Sequence, residues 1–260
     1  MPFTEKGGIR YLTFDSLGES VVHGVIARRG GVSPAPWESL NVGGTVGDHK
    51  ENVQENRFRS FAALGRSLDS IFHVWQVHSA DAVYGDAPIH PSAELAKADI
   101  ILTDRPEITL YMRFADCVPL LLHDPVKHVV ALAHAGWVGT IRGAGRAAVD
   151  AMHSRYGSRP QDILAAIGPS IGPDHYEVGP DVIGRVHEAF GDGGDSLIEA
   201  RQGRTYLDLW AANRLQLQQA GVEHIETAGI CTACHVDDWF SHRAEKGRTG
   251  RFGALIGLRG

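Results

Sequence analysis

Between residues 71 and 134 the chain carries five short apolar runs, Ile71 to Val77, Ala98 to Thr103, Ile108 to Phe114, Val118 to His123 and Val129 to His134. All are rich in β-branched and aromatic residues, and Asp, Pro and Gly separate them, which is the signature of strands. Strands that follow one another without a helical connection pair antiparallel or in mixed sheets. Val21 to Ala27, Ile163 to Pro169, Val222 to Ile230 and Phe252 to Leu258 have the same character. Helical spacing appears from about His49 to Leu64, with Val53, Phe58, Phe61 and Leu64 on one face and Asp48 as N-cap. It recurs from Trp137 to about Tyr156 through Ile141, Ala144, Ala148, Val149 and Met152, with Gly143 and Gly145 weakening the first turns. Pro180 to Phe190 reads as a helix opened by proline, and Leu207 to Ala220 as one carrying Leu209, Ala212, Leu215 and Leu217 and stopped by Gly221. Arg28 to Trp37 is rich in turn formers and predicts a loop of the kind that covers sites. The fold class expected is α+β, a single domain over residues 1–260 with helices covering sheet faces.

At 260 residues a full core is attainable, so a metal would serve chemistry rather than hold the chain together. The net charge of -6 argues against a nucleic-acid partner and favours a small molecule. The N-terminus lacks a signal-peptide pattern and no apolar run reaches membrane-span length, which predicts a soluble cytoplasmic protein with no membrane contact. No obligate protein partner is evident. Three cysteines, an odd number, read as reduced thiols rather than a disulfide framework.

His78, Cys117 and His134 each sit at the end of an apolar run. One cysteine and two histidines assembled from distant positions suit a catalytic metal site with a position left for water or substrate. The same residues admit two other readings: hydrogen-bonded strand-end histidines beside a small buried cysteine, or a Cys117 nucleophile with an imidazole base, as in a Cys-His hydrolase. Asn41-Val-Gly-Gly-Thr-Val-Gly-Asp48 precedes a helix as a phosphate loop does, but lacks the P-loop ending and the dinucleotide spacing. Cys231-Thr-Ala-Cys-His235 has the form of a haem attachment signal, without an export signal and without the second cysteine pair of a zinc ribbon, so it reads as packing or local turn chemistry. Arg243, Arg248 and Arg251 lie near Trp239 and Phe240, a concentration suited to phosphate or a purine edge.

Gln76-Val-His-Ser79, Ala115-Asp-Cys-Val-Pro-Leu-Leu121, His134-Ala-Gly-Trp137, Ile167-Gly-Pro-Ser-Ile-Gly-Pro173 with Tyr176-Glu-Val178, and Cys231-Thr232 with Phe240-Ser-His-Arg243 occur in the order of the YfiH/LACC1 family, also called the laccase-domain or multicopper polyphenol oxidase family. The resemblance extends through Asn41-Val-Gly-Gly and Glu55-Asn-Arg57, from about Asn41 to Leu258. It implies a layered α/β/β/α sandwich with mixed sheets and zinc at His78, Cys117 and His134, with copper an alternative occupant. It implies a purine nucleoside phosphorylase that cleaves adenosine, inosine, guanosine or methylthioadenosine with phosphate, and deaminates adenosine by a zinc-bound water. A copper-dependent polyphenol oxidase is the alternative activity described for the family. Asp116 is then the candidate to orient a ligand or move a proton, and Asn41, Arg57, Gln76 and Arg243 the candidates for substrate contacts. Val138-Gly139 stands where the family carries Arg-Gly, removing one cation, Ser79 stands where glycine is usual, and Asp174-His175 stands where a cysteine pair is frequent.

Overall fold

The computed structural model describes residues 2–260. The chain begins with β1 (Phe3–Lys6), β2 (Ile9–Leu12) and β3 (Val21–Ile26), then α1 (Lys50–Ala63). Six strands follow: β4 (Ile71–Phe72), β5 (Ala82–Tyr84), β6 (Ile100–Thr103), β7 (Thr109–Phe114), β8 (Val118–Asp124) and β9 (Val129–Ala135). Next come α2 (Trp137–Ile141), α3 (Ala144–Tyr156), β10 (Leu164–Ile167) and α4 (Pro180–Phe190). The hairpin β11 (Ile198–Arg201) and β12 (Arg204–Leu207), α5 (Leu209–Gln219), β13 (His224–Thr227) and β14 (Phe252–Leu258) complete it.

The strands form two six-stranded sheets, ordered β1-β2-β3-β14-β7-β4 and β13-β10-β8-β9-β6-β5. Both are mixed: β4 with β7, β5 with β6 and β10 with β13 pair parallel, while β8 with β9 and β14 with both β3 and β7 pair antiparallel. Strand alternation sorts the residues into layers. Leu110, Met112 and Phe114 of β7 meet Val130 and Leu132 of β9 in the core between the sheets. Tyr111 turns the other way, toward Phe61 of α1. Val129, Ala131 and Ala133 turn toward Ala148, Val149 and Met152 of α3 and Ala212 and Leu217 of α5. The layers therefore run α1, first sheet, second sheet, remaining helices. His134 has the parity of Val130 and Leu132, so β9 delivers it to the seam between the sheets.

Several expected elements differ in extent. The helix expected from Trp137 to Tyr156 is broken at Gly143, whose φ of 80° no helix accepts, into α2 and α3. A Cβ on Gly145 would stand 3.4 Å from Gln216 Oε1, an ordinary contact, so α3 and α5 pack here without requiring a glycine. The run Ile71 to Val77 is a strand only over β4, with a bridge from Trp75 to Lys97 beyond it. In α1 the N-cap is His49, and Asp48 accepts the His49 N–H from one position earlier. Phe58 is exposed, and the buried face is Val53, Asn56, Ser60, Phe61 and Ala63. Asn56 earns that position through hydrogen bonds: its Oδ1 accepts from Val32 N–H, and its Nδ2 donates to Ser33 Oγ and to the Ser39 and Asn41 carbonyls. No helix among the described residues is long and apolar enough to cross a membrane.

Candidate metal centre

One donor atom each from His78, Cys117 and His134 lies within 4.8 Å of the other two. Three separate pieces of backbone bring them there. His134 comes from the inter-sheet face of β9. Cys117 immediately precedes β8, and Asp116 before it has a φ of 78°, turning the chain sharply into the strand. Both oxygens of the Asp116 carboxylate are engaged: Oδ1 accepts from Thr232 Oγ1 at 2.7 Å and Oδ2 from Arg243 N–H at 2.6 Å. His78 has a φ of 58°, a left-handed conformation that a β-carbon disfavours, and it needs a restraint.

Asp99 supplies that restraint. Its Oδ2 accepts the N–H groups on either side of His78, from Val77 at 3.0 Å and Ser79 at 2.6 Å. Its Oδ1 stands 2.7 Å from His134 Nδ1, and its carbonyl accepts the His134 N–H. One fully buried carboxylate thus orients both histidines and leaves His134 Nε2 for the donor cluster. Burial opposes the ionisation of Asp99, but the hydrogen bond and charge of His134 and the two backbone N–H groups hold its carboxyl below the usual range.

The donor set is strongly polarised. Burial raises the Cys117 thiol, yet the charge and hydrogen bond of His134 and contacts from His78 outweigh it and bring the pKa down to about 6. Burial lowers His134, and Cys117 together with Asp99 overrides it, lifting the imidazole to about 9. A thiolate beside a protonated imidazole is what a thiol nucleophile uses, and a metal would bind the same thiolate by displacing the proton of His134. Gly136 packs directly against the donors. A Cβ built there would lie 2.7 Å from Cys117 Sγ and 3.2 Å from His78 Nδ1, so the hollow beside the three donors exists only because residue 136 has no side chain. One thiolate, two imidazoles, a carboxylate behind a histidine and a hollow in front of them fit zinc, and the same set can hold copper.

The donors form the floor of a cavity of about 510 Å³. Gln76 and Arg243 line it, with Trp75, Arg113, Trp137, Tyr176, His242 and Arg251. Gln76 is itself held: its Oε1 accepts from Arg113 N–H and Nε, and its Nε2 donates to the Arg113 carbonyl. Asn41 and Arg57 stand behind the wall. Asn41 is fully buried, with Oδ1 accepting from Gly43 and Arg251 N–H, and Arg57 donates through Nε and Nη2 to the Val42 carbonyl. They shape the Gly43-Gly44-Thr45 edge rather than face the space. Asp99 and Arg113 were not among the residues the sequence singled out, whereas Arg251 was, as part of the cation cluster that follows Trp239. The available signal for the first two was a charge inside an apolar strand, which is retained only when it is paired or functional. A second cavity of about 290 Å³ shares His78, Asp116 and Cys117 and is lined by Val138, Ile171 and Leu209.

The family model for multi-copper polyphenol oxidoreductase laccase matches residues 22–259. A protein of Deinococcus radiodurans named purine nucleoside phosphorylase is 40% identical over 239 residues, 92% of this chain and 90% of its own. The Bacillus subtilis protein named purine nucleoside phosphorylase YlmD is 35% identical over 251 residues, 93% of this chain and 90% of its own. The crystal structure of YlmD from Geobacillus stearothermophilus superposes with a TM-score of 0.92 at 35% identity, covering 99% of both chains. This chain therefore belongs to the multi-copper polyphenol oxidoreductase laccase family, the family of YfiH and YlmD.

Proposed function

We propose that the chain is a zinc-dependent purine nucleoside phosphorylase, cleaving adenosine, inosine, guanosine or methylthioadenosine with phosphate to the free base and ribose-1-phosphate, and that it also deaminates adenosine. The observation that carries the proposal is a wall of cations. Arg113, Arg243 and Arg251 line the cavity above the donor set, and none is ion-paired with a carboxylate among the described residues. Part of each fork is spent on neutral acceptors, Arg113 on Gln76 Oε1 and the Val74 carbonyl, Arg243 on the Glu177 carbonyl and Arg251 on the Thr249 and Gly250 carbonyls, and their remaining N–H groups and positive charge suit a phosphate. The relatives named purine nucleoside phosphorylase support the same reading.

Each neighbouring group has a part. The Trp75 ring, 48% exposed at the rim, and the Trp137 and Tyr176 rings offer flat faces for a purine. Arg243 lies over Tyr176 with its guanidinium carbon 5.1 Å from the ring centroid, which fixes its direction. Asp116, with both oxygens already accepting hydrogen bonds, positions Cys117 and Arg243 rather than moving a proton. Asn41 and Arg57 hold the glycine edge and Arg251 from behind. In the reaction a phosphate oxygen bonds to the anomeric carbon as the glycosidic electron pair leaves with the base, which takes up a proton. Held by His78, Cys117 and His134, zinc would supply a Lewis acid and, for the deamination, an acidified water for attack at the purine C6 with release of ammonia.

Incubation with adenosine or inosine plus phosphate, followed by chromatography, is expected to give free base and ribose-1-phosphate, and His78→Ala is expected to abolish both. Absence of base release, with His78→Ala and wild type alike, defeats the proposal. Cys117 is expected to resist alkylation until a chelator is added. A thiol that alkylates readily with metal present would move the assignment to a Cys117 nucleophile. A second reading, copper-dependent oxidation of phenols, draws on the two-histidine, one-cysteine donor set and the family description. Oxygen uptake with phenols in copper-loaded protein, absent from zinc-loaded protein and without nucleoside turnover, would favour it.

A further inference from the structure

A second group of donors lies away from the first. Asp174, His175, Cys231 and Cys234 each present one ligand atom within 4.8 Å of the others. They come from two segments distant in sequence, the loop after β10 and the Cys231-Thr-Ala-Cys234 turn. Cys234 Sγ stands 3.1 Å from Asp174 Oδ2 and 3.4 Å from His175 Nδ1, and Cys231 Sγ stands 3.8 Å from the same nitrogen. His175 Nδ1 and Asp174 Oδ2 are 3.0 Å apart. In a tetrahedral zinc site with bonds of ~2.3 Å to sulfur and ~2.0 Å to nitrogen or oxygen, neighbouring donors sit roughly 3.3 to 3.8 Å apart. The observed separations follow those tetrahedral edges to within a few tenths of an ångström.

Burial does not force this meeting, because the Asp174 and His175 side chains are each 46% exposed. The Cys234 thiol donates to Asp174 Oδ2 and His175 pairs with the same carboxylate, contacts that a cation would replace by taking the place of the protons. A further contact is directed at sulfur: the Gly172 N–H donates to Cys231 Sγ at 3.2 Å, which fixes the direction of the sulfur. Gly172 is itself required there, since a Cβ would fall 2.6 Å from Asp174 Oδ1 and 3.0 Å from Cys231 Cβ. The sequence offered no second cysteine pair for this Cys-x-x-Cys turn. The fold supplies an aspartate and a histidine instead.

We propose that Asp174, His175, Cys231 and Cys234 form a second metal site, taking zinc or another thiophilic divalent cation, that pins the loop bearing Tyr176 to the turn bearing Thr232. Two thiolates select against magnesium and calcium. The position gives the site its consequence. Tyr176, directly after His175, lines the large cavity, and Thr232, directly after Cys231, donates to Asp116 beside Cys117. A cation here would order the wall of the first centre without touching substrate.

Cobalt(II) is the probe, because thiolate coordination gives it a charge-transfer absorption and tetrahedral geometry intensifies its visible bands. The titration uses reduced, metal-free protein carrying His78→Ala, so that the first centre is disabled and the result is independent of the nucleoside phosphorylase reading. The expected result is uptake of one equivalent with both signatures, displaced by zinc, and at least tenfold weaker uptake when Cys234→Ser or His175→Ala is added. Circular dichroism at the same temperature confirms that the compared variants are folded. Folded His78→Ala protein that takes up no cobalt, or whose uptake is unchanged by Cys234→Ser and His175→Ala, overturns the proposal.

Discussion

Gly136→Ala adds one methyl group and tests whether the hollow beside the donors exists to admit a cation. The backbone at 136 has φ -69° and ψ 178°, which alanine adopts freely, so the substitution carries no conformational penalty of its own. Its effect is steric. Non-bonded heavy atoms settle about 3.5 to 4.0 Å apart, and the new Cβ would begin 2.7 Å from Cys117 Sγ and 3.2 Å from His78 Nδ1. The sulfur would have to give way by roughly 1 Å, several times the ~0.2 Å tolerance of metal-ligand distances. Overpacking of this kind costs about 1–3 kcal/mol. The share of that cost borne only by the metal-bound state, where the sulfur cannot move aside, lowers affinity by up to roughly 100-fold. Metal competition against a chromogenic chelator reads the loss directly. Thermal unfolding with and without metal is expected to show a midpoint lowered already without metal, since the clash is present there, and a smaller upward shift on adding metal. An alanine variant that binds metal as tightly as wild type would refute the reasoning, because the hollow would then have no bearing on coordination.

Asp99→Asn cannot accept from both Val77 and Ser79 N–H groups and still present an acceptor to His134, and is expected to weaken metal binding about 10- to 100-fold in the same competition; an unchanged affinity would remove Asp99 from the centre. His23 is buried, and burial together with the nearby His123 lowers its pKa from 6.5 to about 4, with Nε2 accepting the Phe14 N–H. Below pH 6.5 the unfolded chain takes up a proton that the folded chain refuses, so stability is fully present above about 6.5 and falls as the pH drops toward 4, by up to ~3 kcal/mol. Urea unfolding between pH 7 and 4.5 is expected to show this slope, and His23→Gln to flatten it; parallel profiles would assign the slope to other groups. Asn56→Ala would strand the Val32 N–H and the Ser39 and Asn41 carbonyls inside the fold, and is expected to cost ~3 kcal/mol in denaturant unfolding. A cost below ~0.5 kcal/mol would mean that those groups find other partners.

The parts of the fold legible in the sequence were those where one physical signal dominated. β7, β8, β9 and β14 are apolar on both faces because each sheet is covered on both sides, and they stand out as runs. The Pro180–Phe190 helix was bounded by a proline at its first turn and a glycine at its end. β5 and the β11–β12 hairpin were invisible, since short, half-buried strands carry no long apolar run. Phe58 was misplaced because periodicity counts apolar residues, whereas α1 packs through Asn56 and Ser60, whose burial depends on hydrogen bonds to a loop far away in sequence. For the centre, His78, Cys117 and His134 were legible as donors at strand ends, but Asp99 was not. Its role rests on facing two histidines at once, a relation that only the folded chain expresses. The same holds for Asp174 and His175, whose meeting with Cys231 and Cys234 spans two loops.

Val138 brings these threads together. Where the family motif places an arginine, this chain has an apolar residue, so any anion near the donors must be held by other cations. Val138 borders the smaller cavity with Ile171 and Leu209, whereas Arg113, Arg243 and Arg251 all stand on the larger one, across the edge made by His78, Asp116 and Cys117. The smaller side is therefore largely apolar, with Arg142 at its border, and the larger side is strongly cationic. A reaction that joins an inorganic anion to a sugar as an aromatic base departs needs two such environments meeting at one carbon. An arginine at 138 would put a charge into the apolar side, and valine leaves that side apolar, with the three arginines on the opposite cavity. On this arrangement the loss of a cation at 138 shifts the burden of anion binding onto the large cavity, and a substrate spanning both would lie across the three donors.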